Sequence, residues 1–319
     1  MLWKFLHQIN FEVSWNIPSN INHTISLNAI LALVNPGDEV LVPAPFWVSY
    51  PSMIQYAGGV PVSIPSAVED DFKVSAAKLE AAITPKTKLL MFSTPCNPTG
   101  SVYSKEELQD LARVLAKYPQ IVAMSDEIYE HINFVGKHES LAQFPEIYDQ
   151  VVTVNGVSKA WAMTGWRLGY IGAPKALAAA CDKVQGQFTS ATCSITQRAT
   201  IAAMNTDPTV LKEMIAAFES RRNLVLSGLR NIPGLKVNNP EGAFYVFPDC
   251  SSYFGKTYNG QTISNSDDLC MYLLEVALVA CVGGAAFGDP NCFRISYAAS
   301  EETLQKAVDR IANALGQLQ

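Results

Sequence analysis

The stretch Asn155-Gly156-Val157-Ser158-Lys159-Ala160-Trp161-Ala162-Met163-Thr164-Gly165-Trp166-Arg167-Leu168-Gly169 decides how the chain is read. It follows an apolar run at 151–154 with the character of a strand buried on both faces. Lys159 therefore falls just past a strand's carboxyl end, which is the edge where open α/β sheets bind ligands. A Lys beside Ser in a Gly-containing loop is a candidate Schiff-base nucleophile. Standing alone, a solvated loop lysine is the plainer reading.

Working outward, two other strand ends carry chemistry. Asn97-Pro98-Thr99-Gly100 follows the run 88–93, and Asp126-Glu127-Ile128-Tyr129 follows the run 121–125. Three strand ends then offer an amide, a carboxylate with a phenol, and an amine with a guanidinium. An aldehyde cofactor with a pyridine ring and a phosphate would use all of these. Lys159 forms the imine, and Asp126 keeps the ring nitrogen protonated, which makes the ring an electron sink. Tyr129 and Asn97 hydrogen-bond the ring hydroxyl oxygen. Ser158 and Arg167 take phosphate oxygens, Arg167 bidentately. Trp47, in Pro45-Phe46-Trp47, stacks on the ring face. Each residue has a plainer role open to it: Asp126 as a helix N-cap, Tyr129 and Trp47 as core aromatics, Asn97 to Gly100 as a turn. Their common placement at strand ends favours the joint reading.

The runs 39–43, 60–64, 88–93, 121–125, 151–154 and 168–172 are short, β-branched and mostly apolar, and helical patterns separate them. The segment 105–117 has apolar residues at helical spacing, with Ser104 and Glu107 forming a capping box. The segment 27–34 stops at Asn35-Pro36-Gly37. Strands alternating with helices predict an α/β fold with a mostly parallel sheet flanked by helices. Beyond Asn205-Thr206-Asp207-Pro208 the pattern changes. A long helix over 209–229, strands at 235–237, 243–248 and 292–297, a loop over 251–267 and helices over 268–276 and 300–315 predict a smaller C-terminal α+β domain. The expected division is an atypical segment 1–20, a large domain 21–205, and a connector helix with the small domain 206–319.

Composition narrows the function classes. Of the 319 residues 49% are hydrophobic, and 23 Lys and Arg stand against 29 Asp and Glu, a net charge of −6 with no basic block. That disfavours a nucleic-acid partner and intrinsic disorder. No apolar run is long enough to span a bilayer. The first eleven residues lack an apolar leader core and cleavage site, so a cytoplasmic protein is expected. Seven Cys, an odd count without a CxxC pair, read as reduced thiols. The four His show no metal-ligand spacing, so no metal is expected. Charged residues make up only 16%, which fits a large subunit interface.

The segments 158–169, 97–100 and 126–129, together with Phe293-Arg294-Ile295-Ser296-Tyr297, resemble the class I aminotransferases of the pyridoxal-phosphate fold type I, in particular the bacterial aspartate aminotransferase subgroup. The resemblance runs from about Leu27 to the C-terminus. It implies pyridoxal 5'-phosphate as cofactor, Lys159 as the Schiff-base lysine that also moves the substrate α-proton, and Arg294 as the grip on the substrate α-carboxylate with Asn97 and Trp47. It implies transamination between an amino acid, with aspartate preferred, and 2-oxoglutarate by a ping-pong mechanism in a homodimer. An aromatic donor, a decarboxylase or lyase on the same fold, and an impaired cofactor-binding or dimerising remnant remain alternatives. Two departures from the family are read at the start: only 26 residues precede Leu27, fewer than the family carries, and the motif before that helix is altered. There Ile21 occupies the place of a family Gly, and Asn22 or His23 that of a family Lys, in a start that reads as truncated or altered. A weakened phosphate site is the expectation.

Overall fold

The computed structural model describes the backbone of residues 13–14 and 21–319 and the side chains of residues 24–319. The expectations for the segment 1–20 as a whole, and for the side chains of Ile21, Asn22 and His23, lie outside the described residues.

A seven-stranded sheet forms the centre of the large domain. Its strands are β1 (Val13–Ser14), β2 (Glu39–Pro43), β3 (Val60–Ile64), β4 (Thr87–Ser93), β5 (Val122–Asp126), β6 (Val151–Gly156) and β7 (Gly169–Gly172), in the order β1-β7-β6-β5-β4-β2-β3. From β3 through β6 every pairing is parallel, and β7 and β1 close one edge antiparallel. The central strands are buried along nearly their whole length, which is why they read as continuous apolar runs.

Helices cover both faces. They are α1 (Ile21–Leu33), α2 (Ser49–Tyr56), α3 (Ala76–Ala82), α4 (Lys105–Leu115), α5 (Lys175–Phe188) and α6 (Ser194–Asn205). One core packs Ile25, Ala29 and Ile30 of α1 against Val152, Val154 and Ile171, and the other packs Leu108, Leu111 and Leu115 of α4 against Leu90, Phe92 and Ala123. The α4 capping box is closed in both directions: the Glu107 N–H donates to Ser104 Oγ at 3.2 Å, and the Ser104 N–H to Glu107 Oε2 at 2.7 Å.

The C-terminal part has its own core. It joins α7 (Lys212–Arg230), β8 (Tyr245–Val246), α8 (Ser266–Tyr272), β11 (Val282–Gly283), β12 (Phe293–Ser296) and α9 (Glu301–Leu315), with a hairpin of β9 (Thr257–Tyr258) and β10 (Gln261–Thr262) beside it. Here several elements differ from the expectations: β11 is not among the expected strands, and the run 243–248 narrows to Tyr245–Val246 of β8. The run 235–237 makes only an isolated bridge, Lys236 to Asp249, between Gly234 and the irregular stretch Asn238-Asn239-Pro240. The 251–267 loop contains the hairpin, whose Asn259-Gly260 turn has positive φ at both residues, the turn chemistry that suits a two-residue hairpin. The long connector helix starts at Lys212, after a single 3-10 turn over Pro208–Leu211. The 268–276 helix begins earlier, at Ser266, and leaves α8 for a π turn, Leu273–Ala277. No helix among the described residues is long and apolar enough to cross a membrane.

Candidate active site

Because β2, β4, β5 and β6 run parallel, their carboxyl ends meet on one edge of the sheet. Ser93 of β4 lies level with Asp126 of β5, and Asp126 with Val154 of β6. The residues just beyond these ends surround a cavity of about 310 Å³. All seven residues singled out from the sequence as cofactor or catalytic groups line it: Trp47, Asn97, Asp126, Tyr129, Ser158, Lys159 and Arg167. Arg294 enters from β12 of the small domain.

Asp126 is 4% exposed. The Tyr50 hydroxyl donates to its Oδ2 at 3.0 Å and the Ile128 N–H to its Oδ1 at 3.3 Å. Burial, and then the facing Asp126 charge, push the Tyr50 phenol well above its ordinary value, so Tyr50 stays a donor. Tyr129 is buried with its hydroxyl 3.0 Å from that of Tyr245, and burial likewise keeps it protonated. Trp47 stands edge-on to Tyr50, with ring centres 5.4 Å apart.

Lys159 is half-buried above Tyr129 and Phe244, with its Nζ 5.9 and 5.7 Å from the ring centres. Among the described residues no carboxylate lies within ion-pair distance of it. Burial lowers its ammonium below the ordinary Lys value. Asp126 opposes the shift, and the Arg167 and Arg294 charges add to it. A lysine so placed yields a neutral, nucleophilic amine more readily than one in water.

Arg294 donates from Nη1 to Asn97 Oδ1 at 2.9 Å, and its guanidinium lies over the rings of Tyr245 (4.6 Å) and Phe287 (4.8 Å). This leaves a planar fork, held from behind, with further N–H donors for a carboxylate. Arg167 sits on a left-handed residue, φ +55°, and donates to the Thr164 carbonyl at 3.0 Å. Sequence reasoning missed Tyr50, Phe244 and Tyr245. The aromatic cluster after β2 and the Ala243-Phe244-Tyr245 run were visible signals, but the partners that give them a role are remote in sequence. It also dismissed the histidines by spacing. The fold gathers His138 with Glu127 and Glu130, their ligand-capable atoms within 4.8 Å, directly behind the Asp126 turn.

The sequence profile of the family described as aminotransferase class I and II matches residues 5–311. The chain belongs to the class I and II aminotransferase family. It is 48% identical over 294 residues to a petunia bifunctional aspartate aminotransferase and glutamate/aspartate-prephenate aminotransferase, an alignment covering 91% of this chain and 61% of the relative. The chain thus spans about three-fifths of that relative's length. It is 46% identical to a probable aspartate/prephenate aminotransferase of Rickettsia bellii, covering 99% of this chain and 80% of the relative. The crystal structure of the Rhizobium meliloti aspartate aminotransferase superposes with a TM-score of 0.93 at 42% identity, covering 99% of this chain and 80% of that one.

The aminotransferase family depends on pyridoxal 5'-phosphate, and the fold is that cofactor's fold type I. The cavity suits this cofactor on its own terms. Ser158 is 2% exposed, and among the described residues its hydroxyl has no hydrogen-bond partner, an orphaned polar group on the cavity wall. A phosphate oxygen beside Ser158 and Arg167 would satisfy it. A ring between Trp47 and the Asp126 carboxylate would present its nitrogen to that carboxylate.

Proposed function

We propose that this protein is an aminotransferase that carries amino groups between aspartate and 2-oxoglutarate, with Lys159, Asp126 and Tyr129 as the catalytic groups. The observation that carries the reading is one cavity in which a Lys of lowered basicity faces a buried, doubly hydrogen-bonded Asp and an Asn-braced Arg fork.

When bound, the cofactor supplies an aldehyde carbon and an electron-withdrawing ring. Lys159 would hold the cofactor by its Nζ, and its amine is the base placed to move the substrate α-proton. Asp126 keeps the ring nitrogen protonated, its own position fixed by Tyr50 and the Ile128 N–H. Tyr129 and Asn97 hydrogen-bond the ring oxygen, with the Asn97 amide nitrogen as the donor still available. Ser158 and Arg167 hold the phosphate, and Trp47 covers the ring. Arg294 binds the α-carboxylate of every amino and oxo acid that enters, with Asn97 and Trp47 beside it. A single binding place for donor and acceptor requires ping-pong order. The names of the relatives support aspartate as donor and add prephenate as a second oxo acid to try.

The same reading takes residues 21–205 as the cofactor-binding domain and 206–319 as connector and small domain. It takes the protein as a cytoplasmic homodimer, for which the low charge fraction and the exposed apolar residues of α5 and α6 speak. The test is a coupled assay for oxaloacetate with aspartate, 2-oxoglutarate and added cofactor, repeated with prephenate. Cofactor binding without turnover of any amino acid would overturn the proposal.

A further inference from the structure

The turn before α3 contains two consecutive non-glycine residues in the left-handed region, Asp71 at φ +53° and Phe72 at φ +54°. Such conformations persist only where the surroundings hold them. Both side chains lead to the Asn97–Arg294 pair from opposite directions.

On the Asp71 side, Ser101 Oγ donates to the Asp71 carbonyl at 2.6 Å. The Asn238 amide nitrogen, from the small domain, donates to Asp71 Oδ1 at 2.9 Å, and lies 3.2 Å from the Thr99 carbonyl and 3.3 Å from Ser101 Oγ. Asn238 is 7% exposed. The turn it grips is closed by the Cys96 N–H to the Ser101 carbonyl and the Gly100 N–H to the Cys96 carbonyl, both 2.9 Å, with Asn97 inside. On the Phe72 side, the ring packs edge-on against Phe247 (5.7 Å between centres) and Phe247 against Phe287 (5.6 Å). Phe287 is the ring beneath the Arg294 guanidinium.

We propose that the Asp71–Phe72 turn is a positioning element for substrate recognition: Asp71, through Asn238 and Ser101, fixes the turn that carries Asn97, and Phe72, through Phe247 and Phe287, fixes the seat of Arg294. The inference rests on Arg294 being the α-carboxylate grip. Neither Asp71 nor Phe72 lines the cavity, so their effect is transmitted. The fork must keep its plane to bind a carboxylate with two parallel bonds, and a small tilt forfeits one of them.

The test uses the cofactor-loaded enzyme. Asp71→Ala, which removes the bond from Asn238 and the 3.5 Å ion pair with Lys73, and Asn238→Ala, which removes the bonds to Asp71, Thr99 and Ser101, are each expected to raise the KM for aspartate about tenfold or more, at least the loss of one hydrogen bond to a charged group. They should raise the dissociation constant of succinate, measured by titration calorimetry, by the same factor. Cofactor affinity should fall by less than succinate affinity, since Asn97 is one of several cofactor contacts, and kcat should stay within about twofold of the unaltered protein. Asp71→Asn keeps the acceptor and tolerates the left-handed backbone, and should restore near-normal binding. Phe72→Leu should be milder than Phe72→Ala. A mere loss of fold would instead lower cofactor affinity, kcat and melting temperature together. If Asp71→Ala does not fold, Asn238→Ala against Asp71→Asn decides the question. Arg294→Lys separates the two levels. If it weakens succinate binding while the Asp71 and Asn238 variants do not, the brace is refuted. If it leaves succinate binding and KM unchanged, the assignment of Arg294 fails.

Discussion

At the scale of single residues, the site is built from groups whose ordinary behaviour is changed by their neighbours. Lys159 is the clearest case: burial lowers its basicity, and the one carboxylate that would restore it, Asp126, is engaged by Tyr50 and Ile128. Replacing it with Ala is expected to remove the yellow absorbance of the cofactor-loaded protein and to lower turnover by about 10²–10⁴-fold or more, the contribution of an acid–base group that also holds the cofactor. A visible spectrum and a steady-state assay check both. The lysine, Asp126 and Asn97 were legible in the sequence because each stands a few residues past an apolar run, so local pattern alone put them on one edge. Tyr50 and Tyr245 were not, because their roles come from partners 76 and 116 positions away. Arg294 lies 197 positions from Asn97, and only its resemblance to a family motif suggested a role.

At the scale of elements, the strands β2 to β7 of the large sheet were read within a residue or two because burial on both faces writes itself as an apolar run, and α4 because its stripe and capping box are both local. The helices α5 and α6 left no such trace: α6 buries Thr196 and Thr200 and exposes Ile195 and Ile201, the reverse of an amphipathic pattern. Loops, in contrast, are fixed by close approach. Gly100 has φ +69°, and a Cβ there would meet Pro240 Cβ at 2.5 Å and the Gly242 carbonyl at 2.9 Å. Its carbonyl accepts from the N–H groups of Glu241 and Gly242. Gly100→Ala is therefore expected to destabilise the fold by more than about 1 kcal/mol, read from chemical unfolding, since Ala suits neither the φ nor the space. Behind β5, His138 Nε2 lies 2.9 Å from Glu127 Oε2, and Ser140 Oγ donates to Glu127 Oε1. Burial opposes the His138 charge, but the bond and the charge of Glu127 outweigh it, raising His138 above its ordinary 6.5. A raised folded value means that this stabilisation is complete below the unfolded value and is lost as pH rises through the folded one. Melting temperatures recorded across that range should fall with pH, and His138→Gln should flatten the slope. An unchanged slope would place the titration elsewhere.

At the scale of the whole molecule, the distribution of apolar surface has to be explained as well as the core. Phe188 is 70% exposed, Ile195 71% and Ile201 46%, all on the consecutive helices α5 and α6, and Trp166, next to Arg167 in the chain, is 45% exposed. The 16% of charged residues leaves the surface short of the groups that keep such side chains solvated in a monomer. The lysine loop, Arg167 and both helices follow one another along the chain from β6 onward, so in the proposed homodimer the partner that covers α5 and α6 is expected to reach the loop that carries Lys159 and Arg167 as well. On the proposed reading this cover is a second copy of the chain, since closed two-fold pairing presents the same apolar surface from each side. Sedimentation equilibrium of the cofactor-loaded protein should then give twice the chain mass. Phe188→Glu with Ile195→Glu should weaken the pairing: each forfeits burial of a large apolar side chain, about 1.5–3 kcal/mol on each of the two copies, or roughly 10²- to 10⁴-fold in the dimer dissociation constant for each position. Cofactor retention should fall in parallel with dissociation, because the loop loses its cover. A protein that sediments as a monomer while holding its cofactor and turning over aspartate would show that α5 and α6 face solvent and that the site is complete within one chain.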